Sequence, residues 1–308
     1  MTPGPIALTF SEANSSEIFA QRLPQSTDDT LPQVLAAVVT HLHAVIREFR
    51  PTQSDWRKVI EFLTDVGHAS DERRQEWVLL SDLLGASALV EEINSRRPKT
   101  ATPNTVRGPF FRADVPELAS GSDISLDGIG ETLEVSARVV DLDGGPVAGA
   151  EIITWQANAQ GFYENQQPDL QPEFNLRGLF RSDADGRFRY RTIRPSGYGV
   201  PDDGPVGRLL GRAGYPLRRP AHLHFLIKAP GFETITTHLY DGSDPHLAED
   251  AIFGVKPELV CAFERQEKGG PCWRLDFTFV MVLARRGAEA RRGAEARKGS
   301  EARKGSEA

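Results

Sequence analysis

The chain has 308 residues, of which 39% are apolar and 26% are charged, a composition typical of a globular protein that buries a sizeable core. Its net charge of −7 is unevenly distributed, because residues 285–308 carry eight Lys or Arg and four Glu, which leaves the remaining chain at −11. An acidic body repels phosphate groups, so the composition argues against a nucleic-acid-binding protein.

The sequence contains no apolar run that approaches the roughly 20 residues required by a membrane-spanning helix. Residues 1–23 lack the basic stretch and apolar block of a signal peptide, so we expect a cytoplasmic protein. The two cysteines, Cys261 and Cys272, are too few for a disulfide framework, and we expect reduced thiols, with a single bridge as the alternative.

Residues 1–100 are predicted to form a helical domain. From Leu31 to Phe49, apolar residues recur with a spacing near 3.6, which predicts an amphipathic helix that Pro51 terminates. The apolar stripe of this helix requires a partner surface, either in the rest of the chain or in another subunit.

Three shorter helices are predicted to follow. The first begins near Thr52, which has capping-box spacing to Asp55, and ends at Gly67. The second carries an apolar stripe over residues 77–84, and the third covers residues 86–94.

Residues 101–284 have the pattern of a β-sandwich. Pro, Gly and short alternating runs replace the helical periodicity, and turns such as Asp185-Gly186 separate the runs. Alternation predicts strands near residues 133–139, 153–157, 188–192, 223–227 and 273–282. The chain is therefore predicted to be α+β, with an N-terminal helical domain followed by an antiparallel β-sandwich.

Residues 285–308 repeat a six-residue unit four times, twice as RRGAEA and twice as RKGSEA. Each unit contains a Gly and no large apolar residue, so the repeat cannot bury a core. We expect a disordered tail, with a weak interaction arm as the alternative.

The strongest local indication of chemistry is the sequence RPAHLHF at residues 219–225. Residues two apart on a strand point to the same face, so His222 and His224 can offer two imidazoles to one metal ion, although such pairs also occur on plain sheet surfaces. His41 and His43 have the same spacing in a helical pattern, where residues two apart diverge, and we interpret them as ordinary helix residues.

Two of the five tyrosines, Tyr163 and Tyr198, lie in Gly-containing segments near predicted strand ends. A free phenol has a pKa of about 10, but a trivalent cation can hold it as phenolate. Hard anionic oxygens favour iron(III), and imidazoles can complete such a ligand set. The sequence contains neither an HExxH motif nor a closely spaced pair of cysteines, either of which would favour zinc.

Four segments resemble the intradiol ring-cleavage dioxygenases, the family of catechol, chlorocatechol and hydroxyquinol 1,2-dioxygenases. They are TPNTVRGPFF (residues 102–111), WQANAQGFY (155–163), PSGYGVPDDGPVG (195–207) and RPAHLHF (219–225). The helical region also matches the catechol-type branch in position, so the resemblance covers most of the chain except the tail.

The resemblance implies a site with one non-haem iron(III) per subunit, held by Tyr163, Tyr198, His222 and His224. It further implies that Tyr198 leaves the metal when the diol binds and takes a proton, and that Arg219 stabilises negative charge on the ring. The alternative is that these are core aromatics, surface histidines and an ion-paired surface arginine.

Residues 237–239 (THL) and 249–256 (EDAIFGVK) resemble the hydroxyquinol branch, since catechol-cleaving relatives usually carry Gln at the position of His238. The same resemblance predicts a substrate pocket lined by Leu79, Asp82, Val106, Gly108, Pro109, Phe110, Val200, Pro201, Arg219 and Ile252. Asp82 interrupts an apolar helical stretch, and we expect it to accept the additional hydroxyl of hydroxyquinol. A helix-surface carboxylate is the alternative.

The resemblance also predicts a homodimer formed through the N-terminal helices, enclosing a phospholipid-like molecule. Three alternative functions are weighed against hydroxyquinol cleavage: a catechol or chlorocatechol 1,2-dioxygenase, a non-enzymatic β-sandwich binding module, and a zinc hydrolase that uses only the histidine pair.

Overall fold

A computed structural model describes residues 9–24, 30–71, 74–266 and 272–284. The chain forms two compact units, Met1–Asp65 and Val66–Ala308. The domain boundary near residue 100 stays a prediction, and the repeat over residues 285–308, predicted to be disordered, lies outside the described residues.

The helices follow the sequence periodicity closely. They are α1 (Ser15–Gln21), α2 (Leu31–Phe49), α3 (Gln53–His68), α4 (Glu76–Leu83), α5 (Ala86–Asn94) and α6 (Pro205–Arg212). Helices α2 to α5 confirm the predicted ones, whereas α1 and α6 span only two turns and were not predicted, since so short a segment shows little periodicity.

Helix α3 begins with the predicted capping box. The Thr52 hydroxyl accepts from the Asp55 amide at 3.2 Å, and the Asp55 carboxylate accepts in turn from the Thr52 amide at 3.3 Å. Both groups satisfy backbone donors that have no partner within the helix, so this spacing fixes the start of α3.

The strands form two main sheets. They are β1 (Thr132–Asp141), β2 (Glu151–Trp155), β3 (Arg177–Arg181), β4 (Arg187–Ile193), β5 (Tyr198–Gly199), β6 (Arg218–Arg219), β7 (His222–Lys228), β8 (Ile235–Asp241), β9 (Val260–Cys261), β10 (Glu264–Gln266) and β11 (Cys272–Met281). One sheet has the order β10-β11-β1-β4 and the other β3-β2-β7-β8-β9, while β5 pairs with β6 alone.

The two main sheets pack through one apolar core. Leu133 and Val135 of β1 and Phe279 of β11 belong to the same buried cluster as Leu223 and Phe225 of β7. All five side chains are fully buried, so alternate residues of each strand face the partner sheet. The predicted α+β fold with a sandwich is confirmed.

The predicted antiparallel pairing holds for most strand pairs of the sandwich, and two pairs differ. Strand β1 pairs in parallel with β11, and β8 pairs in parallel with β9. A parallel pair requires a long connection, and β1 and β11 stand at opposite ends of the sandwich sequence, which local alternation cannot reveal.

Within the described residues, no helix is both long and apolar enough to cross a membrane. Cys261 and Cys272 are free thiols.

Candidate active site

Four predicted site residues converge on the face of the five-stranded sheet that points away from the core. The Tyr163 hydroxyl lies 2.8 Å from His224 Nε2 and 3.3 Å from the Tyr198 hydroxyl. His222 Nε2 lies 3.1 Å from His224 Nε2. Two phenol oxygens and two imidazole nitrogens therefore meet at one point, as the sequence predicted for these residues.

Strand β7 positions both histidines. It lies between β2 and β8 in the five-stranded sheet, and its residues alternate between Leu223 and Phe225 in the core and the two imidazoles on the other face. The His224 ring stacks on Trp155 of β2, with ring centroids 4.6 Å apart. Packing on both sides therefore fixes the direction of this imidazole.

The two tyrosines reach the site from separate segments. Tyr198 belongs to β5 and pairs with Arg219 of β6, just before β7 begins. Tyr163 stacks on Phe110, with ring centroids 4.5 Å apart. Gly161 has φ of +86°, and a Cβ there would overlap Tyr198 Cβ, so only glycine permits this approach.

A buried ion pair holds the segment that carries Tyr163. Arg177 forms an ion pair with Glu164, which follows Tyr163, and donates a hydrogen bond to the Phe110 carbonyl at 2.7 Å. Arg177 and Glu164 are both almost fully buried. This pair joins the segments that carry Tyr163 and Phe110, and sequence reasoning did not identify it.

The imidazoles are neutral and present lone pairs. His222 Nδ1 lies 2.7 Å from the Pro220 carbonyl, which can only accept, so Nδ1 carries the proton and Nε2 the lone pair. Burial lowers the pKa of His222 to about 3 and that of His224 well below its usual value, and the charge of Arg219 lowers both further. Neutral imidazole is the form that binds metal ions.

Tyr163 differs from Tyr198 in its exposure. Burial raises the pKa of Tyr163 well above its usual value, so a nearby cation is required for this phenol to ionise. Tyr163 is 1% exposed, whereas Tyr198 is half-buried and lines a cavity. The donor set of two phenols and two neutral imidazoles fits a hard trivalent cation such as iron(III).

His238 is a third imidazole at this point. It lies directly opposite His224 in the β7–β8 ladder, with ring centroids 4.3 Å apart, and its Nδ1 contacts the Thr105 hydroxyl. Its buried Nε2 has no hydrogen-bond partner in the described part of the chain. His222, His224 and His238 together form a group able to hold a metal ion.

Arg219 is a buried cation with a complete set of partners. Its Nε donates to Asp250 at 3.0 Å, Nη2 donates to the Tyr240 hydroxyl at 3.2 Å, and Nη1 lies 3.1 Å from His222 Nε2. Burial tends to raise the pKa of Asp250, but the charge and the hydrogen bond of Arg219, together with the Gly254 amide and other neighbours, outweigh burial, and the pKa is lowered. Asp250 is therefore the counterion of Arg219.

Sequence reasoning did not identify the roles of Asp250 and Tyr240. Asp250 lies within a segment that resembles the hydroxyquinol branch, which was the only available indication. Tyr240 stands opposite His222 in the ladder, a relation that requires the pairing of β7 with β8.

A cavity of about 820 Å³ opens beside the four converging residues. The residues predicted for the pocket that line it are Leu79, Asp82, Gly108, Pro109, Phe110, Val200, Pro201, Arg219 and Ile252. Val106, in the extended segment before Gly108, is not among its lining residues in the described structure. Both Tyr198 and His224 also face the cavity, so it adjoins the predicted metal site.

Asp82 lies at the end of α4 as a buried carboxyl group. It is 3% exposed, and its Oδ1 finds no hydrogen-bond partner among the described residues. Burial raises its pKa, which a hydrogen bond from Ser87 and the charge of Arg219 only partly offset. An unpartnered buried acceptor facing a cavity is suited to a polar group on a ligand.

Comparisons with known proteins point to one family. Residues 106–284 match the family model described as "Dioxygenase", and residues 28–102 match the one described as "Catechol dioxygenase N terminus". The chain is 47% identical over 282 residues to a hydroxyquinol 1,2-dioxygenase of Rhizobium sp. (strain MTP-10005), covering 88% of this chain and 96% of the relative.

A second relative and a solved structure are also dioxygenases of this kind. A 6-chlorohydroxyquinol 1,2-dioxygenase of Cupriavidus pinatubonensis is 43% identical, with 88% of this chain and 98% of the relative covered. The crystal structure of a hydroxyquinol 1,2-dioxygenase from Pseudomonas putida DLL-E4 superposes with a TM-score of 0.83 at 40% identity, covering 89% of this chain and 99% of that one.

The three buried imidazoles predict how the stability of the metal-free protein depends on pH. Their folded pKa values lie below the usual value near 6.5, so unfolding takes up protons and the free energy of unfolding falls as pH drops below 6.5. Each histidine contributes a slope of about 1.4 kcal/mol per pH unit near pH 5. His238→Gln is expected to reduce the slope by that amount.

Denaturant unfolding of chelator-treated protein between pH 5 and pH 7 measures this slope. His41→Gln, on the exposed surface of α2, is the matched control and is expected to leave the slope unchanged. An equal slope in wild type and His238→Gln would contradict a neutral buried His238.

Proposed function

This chain belongs to the intradiol ring-cleavage dioxygenases, and we propose that it is a cytoplasmic enzyme that uses O2 to cleave hydroxyquinol (1,2,4-trihydroxybenzene) between its adjacent hydroxyl-bearing carbons. The product is 3-hydroxy-cis,cis-muconate, a tautomer of maleylacetate. The observation that carries this proposal is the convergence of two phenols and two neutral imidazoles beside a cavity with a buried carboxyl group.

Tyr163, Tyr198, His222 and His224 are the proposed ligands of one iron(III) per subunit. The Tyr198 and Tyr163 hydroxyl oxygens lie 3.3 Å apart, the Tyr163 oxygen lies 2.8 Å from His224 Nε2, and the two Nε2 atoms lie 3.1 Å apart. His222 Nε2 presents a lone pair, because its Nδ1 donates to the Pro220 carbonyl. When bound there, iron(III) supplies a Lewis acid that withdraws electron density from the ring of a diol and thereby opens it to O2.

Tyr198 is the proposed proton acceptor for the diol. It is half-buried and faces the cavity, whereas Tyr163 is enclosed and stacked on Phe110. Tyr198 can therefore move without opening the core, and its oxygen, which would be a phenolate with the cation bound, can take a proton from one hydroxyl of the entering diol and become a neutral phenol. Tyr163 keeps its position throughout.

Arg219 is the proposed stabiliser of negative charge on the diol. Asp250 and Tyr240 hold the guanidinium, and its third nitrogen points towards His222 and the cavity. A fixed cation in a buried site interacts strongly with charge that develops during the reaction. Leu79, Phe110 and Ile252 form apolar walls that limit access of water to the ring.

Asp82 is the proposed acceptor for the third hydroxyl of hydroxyquinol. Its unpartnered Oδ1 offers the hydrogen bond that this hydroxyl would lack in an apolar pocket. Catechol has no such hydroxyl, so it would leave the buried carboxyl group unpaired and bind less well.

Exposed apolar side chains support a homodimer formed through the N-terminal helices. Leu31, Val34, Val38, Val45 and Phe49 of α2 are all at least half exposed in the single chain. Burying such a stripe against a second copy, with a phospholipid-like molecule between the copies, would remove this surface from water.

Light scattering is expected to give twice the chain mass, and solvent extraction is expected to release the lipid. A monomer at micromolar concentration would contradict the dimer.

Iron binding is expected to colour the protein. Iron(III)-loaded wild type should show a broad visible band, because phenolate ligands transfer charge to the metal, and anaerobic hydroxyquinol should shift it. Tyr163→Phe and Tyr198→Phe should each weaken or shift the band at equal iron content. Tyr190→Phe, in the sandwich core, is the control and should leave it unchanged. Iron bound at full occupancy without colour would exclude the tyrosine ligands.

Substitution of Asp82 is expected to alter the choice of diol. Asp82→Ala should lower kcat/KM for hydroxyquinol relative to catechol by roughly 10- to 100-fold, the usual effect of a lost buried hydrogen bond. Asp65→Ala, which removes an exposed carboxylate of α3 that does not line the cavity, is the control and should leave the ratio unchanged. An unchanged ratio in Asp82→Ala would contradict the role of Asp82 as acceptor for the third hydroxyl.

A further inference from the structure

Three charged residues meet at the mouth of the cavity. Arg74 Nε forms an ion pair with Glu76 at 2.8 Å, and its two terminal nitrogens bind both carboxylate oxygens of Asp203 at 2.8 and 2.9 Å. All three residues line the cavity, and 129 positions separate Arg74 from Asp203 in sequence. The cluster has no assigned part in the reaction described above.

Glu76 anchors the cluster to α6. Its carboxylate is 1% exposed and accepts a hydrogen bond from the Val206 amide at 3.1 Å. Helix α6 starts at Pro205, which has no N–H, so Val206 is the first residue of this helix with an amide that requires an acceptor. A carboxylate at a helix N-terminus is favourable for both its hydrogen bond and the helix dipole.

The backbone between Asp203 and α6 lies in close contact with Glu76 and Arg74. A Cβ at Gly204 would overlap the side chains of Glu76 and Arg74, and one at Gly207 would overlap the backbone of Asp202. The segment therefore has no space to shift towards α4. Any widening of the mouth must carry Asp203 away from Arg74.

The cluster joins the two walls of the cavity. One wall is α4, which begins at Glu76 and carries Leu79 and Asp82. The other is the segment of residues 198–203, which carries Tyr198, Val200 and Pro201. Asp203 has a 70% exposed side chain and Arg74 a 34% exposed one, so the outer pair faces water while Glu76 stays enclosed.

We propose that Arg74, Glu76 and Asp203 form a clamp that sets the separation of these two walls and thereby limits the size of the diol that reaches Asp82 and Tyr198. Glu76 is the fixed anchor, and the Arg74–Asp203 pair is the part that opens. Asp203 and Arg74 are positioning residues, since they act through the walls. The proposal rests on the proposed diol cleavage and adds a determinant of substrate size.

A role in stability alone predicts a different outcome. An exposed ion pair contributes about 0–1 kcal/mol to folding, so loss of the Asp203 carboxylate should hardly change the unfolding temperature. The same loss should admit a bulkier ring if the clamp limits the mouth. Asp203→Ala therefore distinguishes a role in limiting substrate size from a role in stability alone.

Asp203→Ala in the iron-loaded enzyme tests the clamp. The ratio of kcat/KM for 4-tert-butylcatechol to that for hydroxyquinol is expected to rise roughly threefold to fivefold, mainly through KM, which is the effect of one exposed ion pair. Asp203→Glu keeps the carboxylate and should restore the wild-type ratio. Glu117→Ala removes a similar exposed two-point pair, with Arg181, away from the cavity and should leave the ratio unchanged.

Amide hydrogen exchange of metal-free protein gives a second measurement. The peptide covering residues 200–212 is expected to exchange faster in Asp203→Ala than in wild type or Glu117→Ala. Unchanged exchange together with an unchanged substrate ratio would overturn the clamp, as would an equal change in Glu117→Ala. If the wild type cleaves no diol, the proposed function fails, while the exchange experiment still decides whether the pair holds this segment.

Discussion

Strand β7 is the element on which the site depends, because its two faces have opposite surroundings. Leu223 and Phe225 are fully buried between the sheets, while His222 and His224 point the other way. A shift of one residue would move both imidazoles into the core and both apolar side chains into the site. The same packing that stabilises the sandwich therefore fixes the register of the histidines.

The neighbours of β7 complete the site through the ladder. The pairing with β8 brings Tyr240 opposite His222 and His238 opposite His224, and the short β5–β6 pair brings Tyr198 beside Arg219. Each of these contacts is set by backbone hydrogen bonds between strands. Strand pairing consequently fixes the backbone of the site, while the half-buried Tyr198 side chain faces the cavity.

Burial and the available counterions determine which groups of the site are charged. The imidazoles are neutral because a buried cation is costly, whereas Arg219 stays charged because Asp250 lies 3.0 Å from it. Among the described residues, Asp82 has no such counterion at contact distance, and it retains an unpartnered oxygen. The site thus combines a cation that Asp250 compensates with a carboxyl group that has capacity for a ligand, which is the electrostatic basis of the proposed preference for a trihydroxylated ring.

Periodicity and turn chemistry were sufficient to predict α2 to α5, several of the strands and the capping box at Thr52, since these features depend on neighbours in sequence. Spacing predicted the pair His222 and His224, and motif resemblance predicted Tyr163, Tyr198, Arg219 and the pocket residues, most of which the structure brings together around one cavity. The contacts of Arg219 with Asp250 and Tyr240, the position of His238 opposite His224, the parallel β1–β11 pair and the contact of Arg74 with Asp203 could be found only in the tertiary structure. Each joins residues that are brought together by strand pairing or by packing across the cavity, and local sequence carries no record of such distances.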